Sequence, residues 1–134
     1  AALVGRFEHE RPGLAALTLA AEPAMWSGVA ADTGFELALA RQVKALGQPG
    51  DVLLALAADA DSPGVARAAQ AARERGMHVI ALTGQPGGVL AEQSTAPDLL
   101  IRVPADSPAR IHETHLLILH ALCDAVDSVL LGVE

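Results

Sequence analysis

The residues of this chain best suited to chemistry lie where an apolar run gives way to a helix start. Asp51-Val52-Leu53-Leu54-Ala55-Leu56-Ala57 reads as a buried strand, and Ser62-Pro63 opens a helix. Between them stands Ala58-Asp59-Ala60-Asp61. A strand feeding a helix N-terminus normally suits an anion, because unpaired N–H groups and the helix dipole both favour one. Asp59 and Asp61 place negative charge on that approach. The junction therefore repels a phosphate, or receives one only through a divalent cation bridging the two carboxylates. Ser62 offers a hydroxyl to a ligand and equally suits helix N-capping. Thr83 and Gly84 close a second apolar run, at the strand end where open α/β sheets place ligands; a tight turn would use the same residues. His112-Glu113-Thr114-His115 comes near the helical zinc-protease motif, but its histidines are three residues apart rather than four, and a polar stripe on a half-buried helix explains it as well. Arg110, near a helix start, suits an anion or a subunit contact. Asp32, ahead of Phe35, suits an N-cap. Cys123, on an apolar helix face, fits a small core residue.

These groups need elements to hold them. The strand at 52–57 is followed by a helix over 62–75 that stops at Gly76, then a strand at 77–82. A loop at 83–88, a short helix over 89–94, a strand at 98–103 closed by Pro104, and a long helix from Ser107-Pro108 to about Leu131 complete the series. Upstream, residues 1–7 are helix-like but too short to stand alone. Leu14 to Ala20 is expected to be a buried strand, with a short helix around Trp26. Apolar residues at helical spacing from Phe35 to Leu46 give a further helix, with Gly47 as its C-cap. Continuous apolar strands alternating with helices mean an α/β fold with a parallel sheet flanked by helices on both faces. About four strands is thin for such a sheet, so an N-terminal helix and a first strand are expected to be absent from the sequence. Gly-Gln-Pro-Gly occurs at 47–50 and at 84–87, before one strand and after another, which marks turn chemistry rather than a repeat.

Composition narrows the class. A chain of 134 residues with 51% hydrophobic and 19% charged residues makes a single globular domain, here 1–134. Only 2% of residues are aromatic, so alanine, leucine and valine must fill the core. A net charge of −7 argues against direct nucleic-acid or anionic-membrane binding. One cysteine excludes an internal disulfide and fits a reducing compartment. No uninterrupted apolar run reaches the roughly 20 residues of a membrane span, and the start lacks signal-peptide character, so the bacterial cytoplasm is the expected location.

The order of several strings resembles the sugar isomerase (SIS) domain. They are Arg6-Phe7-Glu8-x-Glu10-Arg11-Pro12, Gln42-Val43-x-Ala45-Leu46-Gly47-x-x-Gly50-Asp51-Val52-Leu53-Leu54, and Ala81-Leu82-Thr83-Gly84-x-x-Gly87-Gly88. Ile101-Arg102-Val103-Pro104, Ala109-Arg110-Ile111-x-Glu113-x-His115 and Leu122-Cys123-Asp124 follow. Within that family the chain is most similar to the phosphoheptose isomerase group and its non-enzymatic relative, the DnaA initiator-associating protein DiaA. The resemblance implies a flavodoxin-like, three-layer SIS fold and a homotetramer. For the enzymes it implies conversion of sedoheptulose 7-phosphate to a heptose 7-phosphate on the way to lipopolysaccharide heptose.

Set against that pattern, several functional positions differ. The family's Ser-Thr-Ser-Gly-Asn-Ser phosphate loop is replaced by Ala57, Ala58, Asp59, Ala60, Asp61 and Ser62. A charge pair about 4 Å apart at an effective dielectric near 20 is worth roughly 4 kcal/mol, more than a lost hydrogen bond at about 1 kcal/mol. The glutamate base of the isomerases aligns with Ala2, which cannot carry a proton. A zinc-binding Gln and His of the last helix align with His112 and His120; they stand about 12 Å apart along the axis and cannot chelate one ion by themselves. His120 is the one aligned catalytic candidate, and Asp32 aligns with the aspartate of an Asn-Asp pair whose Asn is Ala31 here. These differences favour a catalytically silent, oligomeric regulator that binds a partner such as the replication initiator, with no cofactor expected and zinc as the possible exception. Phosphoheptose isomerase itself and a sugar-phosphate-binding sensor are the alternatives.

Overall fold

In the computed structural model, residues 1–59 and 61–132 are described. In chain order they form α1 (Pro23–Thr33), a 3₁₀ turn (Phe35–Leu37), α2 (Ala38–Leu46), β1 (Val52–Ala57), α3 (Pro63–Glu74), β2 (His78–Thr83), α4 (Gly88–Glu92), β3 (Leu99–Arg102) and α5 (Pro108–Leu131). The three strands make one parallel sheet in the order β1-β2-β3. This is the expected α/β architecture with helices flanking a parallel sheet.

The alanine-rich composition explains how the layers approach. α3 buries Ala66, Ala68, Ala69, Ala71 and Ala72, and β1 and β2 turn Ala55, Ala57, Val79 and Ala81 towards the same core. Short side chains let helix and sheet close up without aromatic filling. Gly47 ends α2 for a related reason. Its φ of −68° needs no glycine, but a Cβ there would strike the Met77 thioether and the Val43 carbonyl. At Gly76 the reason is conformational: φ is +72°, the left-handed region that closes α3.

α5 is held differently. Its buried residues are Ile111, His115, Cys123 and Asp127, spaced at multiples of four. Four residues turn about 400°, so this line drifts slowly around the helix and meets different neighbours along its length. His115 bonds the Thr83 carbonyl at 3.2 Å, while Asp127 pairs with Arg11 from the N-terminal segment. Little else of the helix is covered: Leu116, Leu117, Val129 and Leu130 are exposed.

Several expectations are corrected. Leu14 to Ala20 forms no strand and Leu17 is 66% exposed. Among the described residues the sheet has three strands rather than four, with β1 at an edge; the stretch has no ladder partner among them, and a lone strand is not stable without one. Residues 1–7 form a turn, closed by Gly5 N–H to the Ala1 carbonyl at 2.9 Å, instead of a helix. Phe35 to Leu46 is split into a 3₁₀ turn and α2, because Gly34 at φ +86° starts the turn. Asp32 caps nothing: it is exposed within the last turn of α1, and Gly34 takes the cap position. Finally, α5 contains an 18-residue window of mean hydropathy 1.5 and is long and apolar enough to cross a membrane by length and composition alone. Counting uninterrupted apolar runs missed it, since Asp124 and Asp127 break the run.

Candidate functional site

The pairing registers bring the strand ends level. Ala57 sits opposite Thr83, and Thr83 opposite Arg102. The loops leaving these ends therefore share the carboxyl edge of the sheet, the position where open α/β sheets receive ligands. Gly84 marks how closely they meet. A Cβ there would overlap the Ile111 side chain of α5 and come within 3.4 Å of the Ala58 carbonyl.

Asp59 and Asp61 do occupy this edge, but their carboxylates are engaged. Asp59 Oδ1 accepts the Asp61 N–H at 3.0 Å, and Asp61 Oδ1 accepts the Val89 N–H at 3.3 Å. The acidic loop thus folds on itself and reaches across to the first turn of α4. Ala60, between them, lies outside the described residues. Ser62 takes the N-cap position of α3 without a side-chain cap hydrogen bond; its carbonyl accepts the Ala66 N–H at 3.1 Å.

Thr83 is fully buried. Its carbonyl accepts from Val103 N–H at 2.9 Å and lies 3.2 Å from His115 Nε2, while its hydroxyl finds no partner. A carbonyl can only accept, so His115 donates from Nε2, while Nδ1 is shielded and finds no partner among the described residues. Beside this ring is an open cavity of about 250 Å³ lined by Leu56, Ala58, His112, His115, Leu116 and Leu119. It adjoins the acidic loop through Ala58.

The histidines of α5 divide between two environments. His112 borders the cavity with His115, whereas His120 packs against Phe7, ring centroids 5.4 Å apart and tilted by 40°. The pair aligned with zinc ligands, His112 and His120, is not brought together. Among the described residues no group of three or more His, Cys, Asp or Glu is placed to hold a metal ion. The described residues alone do not assemble a zinc site. Arg110 pairs with Glu113 on the helix surface at 2.9 Å, so neither is directed at the cavity edge as a lone charge.

Two groups escaped the sequence reading. His115 was visible there as half of a near-miss motif and as the end of a family string; the signal that singles it out is its place four residues after Ile111 on the buried line of α5. Arg11 was visible only within a family string. In the structure it pairs with Asp127 at 2.5 Å, both side chains 1% exposed, and donates to the carbonyls of Ala2, Leu3 and Gly5 at 2.8, 2.9 and 3.4 Å. Ala2, aligned with the base, is thus held by its backbone beside α5 but brings no acid or base.

Comparison with known proteins identifies the family and the fold. The SIS domain profile matches residues 1–84. Phosphoheptose isomerase of Thiobacillus denitrificans is 57% identical over 132 residues, covering 98% of this chain and 67% of that protein. Its counterpart in Laribacter hongkongensis is 54% identical with the same coverage. The solved phosphoheptose isomerase from Francisella tularensis superposes with a TM-score of 0.90 at 41% identity, over 94% of this chain and 66% of its own. The chain spans about two thirds of the length of these relatives. By sequence and by fold it belongs to the SIS domain family, and its relatives there are phosphoheptose isomerases.

Proposed function

We propose that this chain carries a sugar-phosphate isomerase site of the phosphoheptose class, interconverting sedoheptulose 7-phosphate and a heptose 7-phosphate. The observation that carries the reading is identity of 57%, 54% and 52% to phosphoheptose isomerases across nearly the whole chain. It reverses the order suggested by the altered residues, since none of the relatives described speaks for a silent DiaA-like regulator. A ketose–aldose shift moves a proton between adjacent carbons and so needs a group that accepts and returns it. Ala2 cannot do this. An imidazole can accept and return a proton, and His120, exposed and in tilted contact with Phe7, is the accessible histidine of α5 aligned with a catalytic position. Ser62 and the level strand ends offer the place for the phosphate.

One specific observation favours a second reading, a sugar-phosphate-binding or partner-binding protein without turnover. Asp61 fills the Val89 N–H that an anion could take, and Asp59 stands beside it. Incubating the purified chain with sedoheptulose 7-phosphate and following products by NMR separates the two. Formation of heptose phosphate supports the isomerase. Binding heat without product, or capture of the replication initiator in a pull-down, supports the second. We further place the site in a homo-oligomer, a tetramer by resemblance, because α5 leaves Leu116, Leu117 and Val129 at 53%, 68% and 84% exposure. Light scattering at micromolar concentration tests that assignment.

A further inference from the structure

Residues 1–7 have no regular secondary structure to hold them, yet the Phe7 ring meets that of His120 on α5, centroids 5.4 Å apart and tilted by 40°. What fixes the segment is one guanidinium. Arg11 Nη2 takes the Ala2 carbonyl at 2.8 Å, and Nη1 takes those of Leu3 at 2.9 Å, Pro12 at 3.3 Å and Gly5 at 3.4 Å. Its Nε is locked on Asp127 Oδ1 of α5, with both side chains 1% exposed. Asp127 follows His120 by seven residues, almost two full turns, so the anchor and the Phe7 contact lie along one line of α5 about 10 Å apart. A chain tied at residues 2, 3 and 5 and again at 11 has little freedom left at residue 7.

We infer that the buried Arg11–Asp127 pair is a positioning device that sets the Phe7 ring against His120 and so fixes the orientation of that imidazole. In its catalytic consequence the inference rests on the isomerase reading above; in its geometry it does not. Arginine is required because the planar fork must serve a carboxylate and several carbonyls at once, which a lysine ammonium on a flexible stem cannot do. The pair touches no reacting atom and acts only through Phe7.

The test is NMR on the full chain with three proteins: wild type, Arg11→Lys and Phe7→Leu. The wild type should show a Phe7–His120 nuclear Overhauser contact. Arg11→Lys should lose it and shift the His120 ring resonances in the direction that Phe7→Leu does, while the resonances of core residues such as Leu82 and Val79 stay in place. A purely structural pair would lower the melting temperature and leave His120 unmoved. The inference is overturned if the wild type lacks the contact, or if the His120 resonances of Arg11→Lys superpose on those of the wild type. Should Arg11→Lys fail to fold, Asp127→Asn, which removes the counter-ion at nearly constant volume, is read in the same way: loss of the Phe7–His120 contact supports the inference and its retention overturns it. Activity is read separately: displacement of the imidazole by about 1 Å should lower kcat by roughly 10²-fold with KM little changed. A wild type without turnover refutes the isomerase reading and leaves the NMR answer standing.

Discussion

Replacing Asp127 with leucine should be among the most damaging single substitutions in this chain. Asp127 and Arg11 are each 1% exposed, so the variant leaves a guanidinium buried with only carbonyl oxygens around it. Removing one partner of such a pair costs about 3–5 kcal/mol, because the surviving charge keeps its desolvation penalty and loses its counter-ion. Against a total stability of about 5–15 kcal/mol this is a large fraction. In a domain of this size each kcal/mol moves Tm by roughly 3–5 °C, so a fall of roughly 10–20 °C is expected. Asp127 Oδ2 has no partner among the described residues, so the pair is itself imperfectly satisfied. Exchanging both residues, Arg11→Met with Asp127→Leu, should recover part of the loss, since apolar groups of similar volume need no solvation while the carbonyls of Ala2 and Leu3 lose their donor. The assay is urea unfolding of wild type, both single variants and the double, comparing midpoints at constant m. A loss below about 1 kcal/mol in Asp127→Leu, or a double variant as unstable as the worse single, would refute the argument.

Three further outcomes follow from the packing. Leu90 is fully buried in the small α4, so Leu90→Ala should cost about 2–5 kcal/mol in the same unfolding assay. Gly76→Ala forces a side chain into φ +72° and should cost about 1–2 kcal/mol, visible as a lower urea midpoint with unchanged m. Asp98 accepts from Arg73 Nε at 2.6 Å and from Thr95 N–H at 3.3 Å with its side chain 4% exposed; Asp98→Ala should cost about 1–3 kcal/mol and speed amide exchange in the turn before β3.

What the sequence disclosed depended on how local the cause was. β1, α3, β2, α4, β3 and α5 were legible because period, breakers and caps are written into each segment: Gly76 after α3, Pro104 after β3, Pro108 at the start of α5. Leu14 to Ala20 misled because an apolar run shows that a segment could be a strand, whereas only a neighbouring ladder makes it one. Asp32 misled because a capping residue type does not reveal which helix end it reaches; Gly34, with its positive φ, controlled that junction. At the candidate site, the loop with Asp59 and Asp61 was identifiable from charge at a strand–helix junction, but its internal hydrogen bonds to Asp61 and Val89 were not. Arg11 and Asp127 are 116 residues apart, and no local pattern links them. The same holds for His115 and the carbonyl of Thr83, which meet only once α5 lies across the sheet end.

The isomerase reading stands or falls on proton movement at the sugar carbons. The most direct measurement is incubation of the full chain with sedoheptulose 7-phosphate in deuterated water, followed by NMR of the sugar. The account expects heptose 7-phosphate to appear, with deuterium entering at the carbon that becomes C2 as the abstracted proton exchanges with solvent. Neither product nor deuterium after enzyme-scale incubation, with the protein shown to be folded, would contradict it.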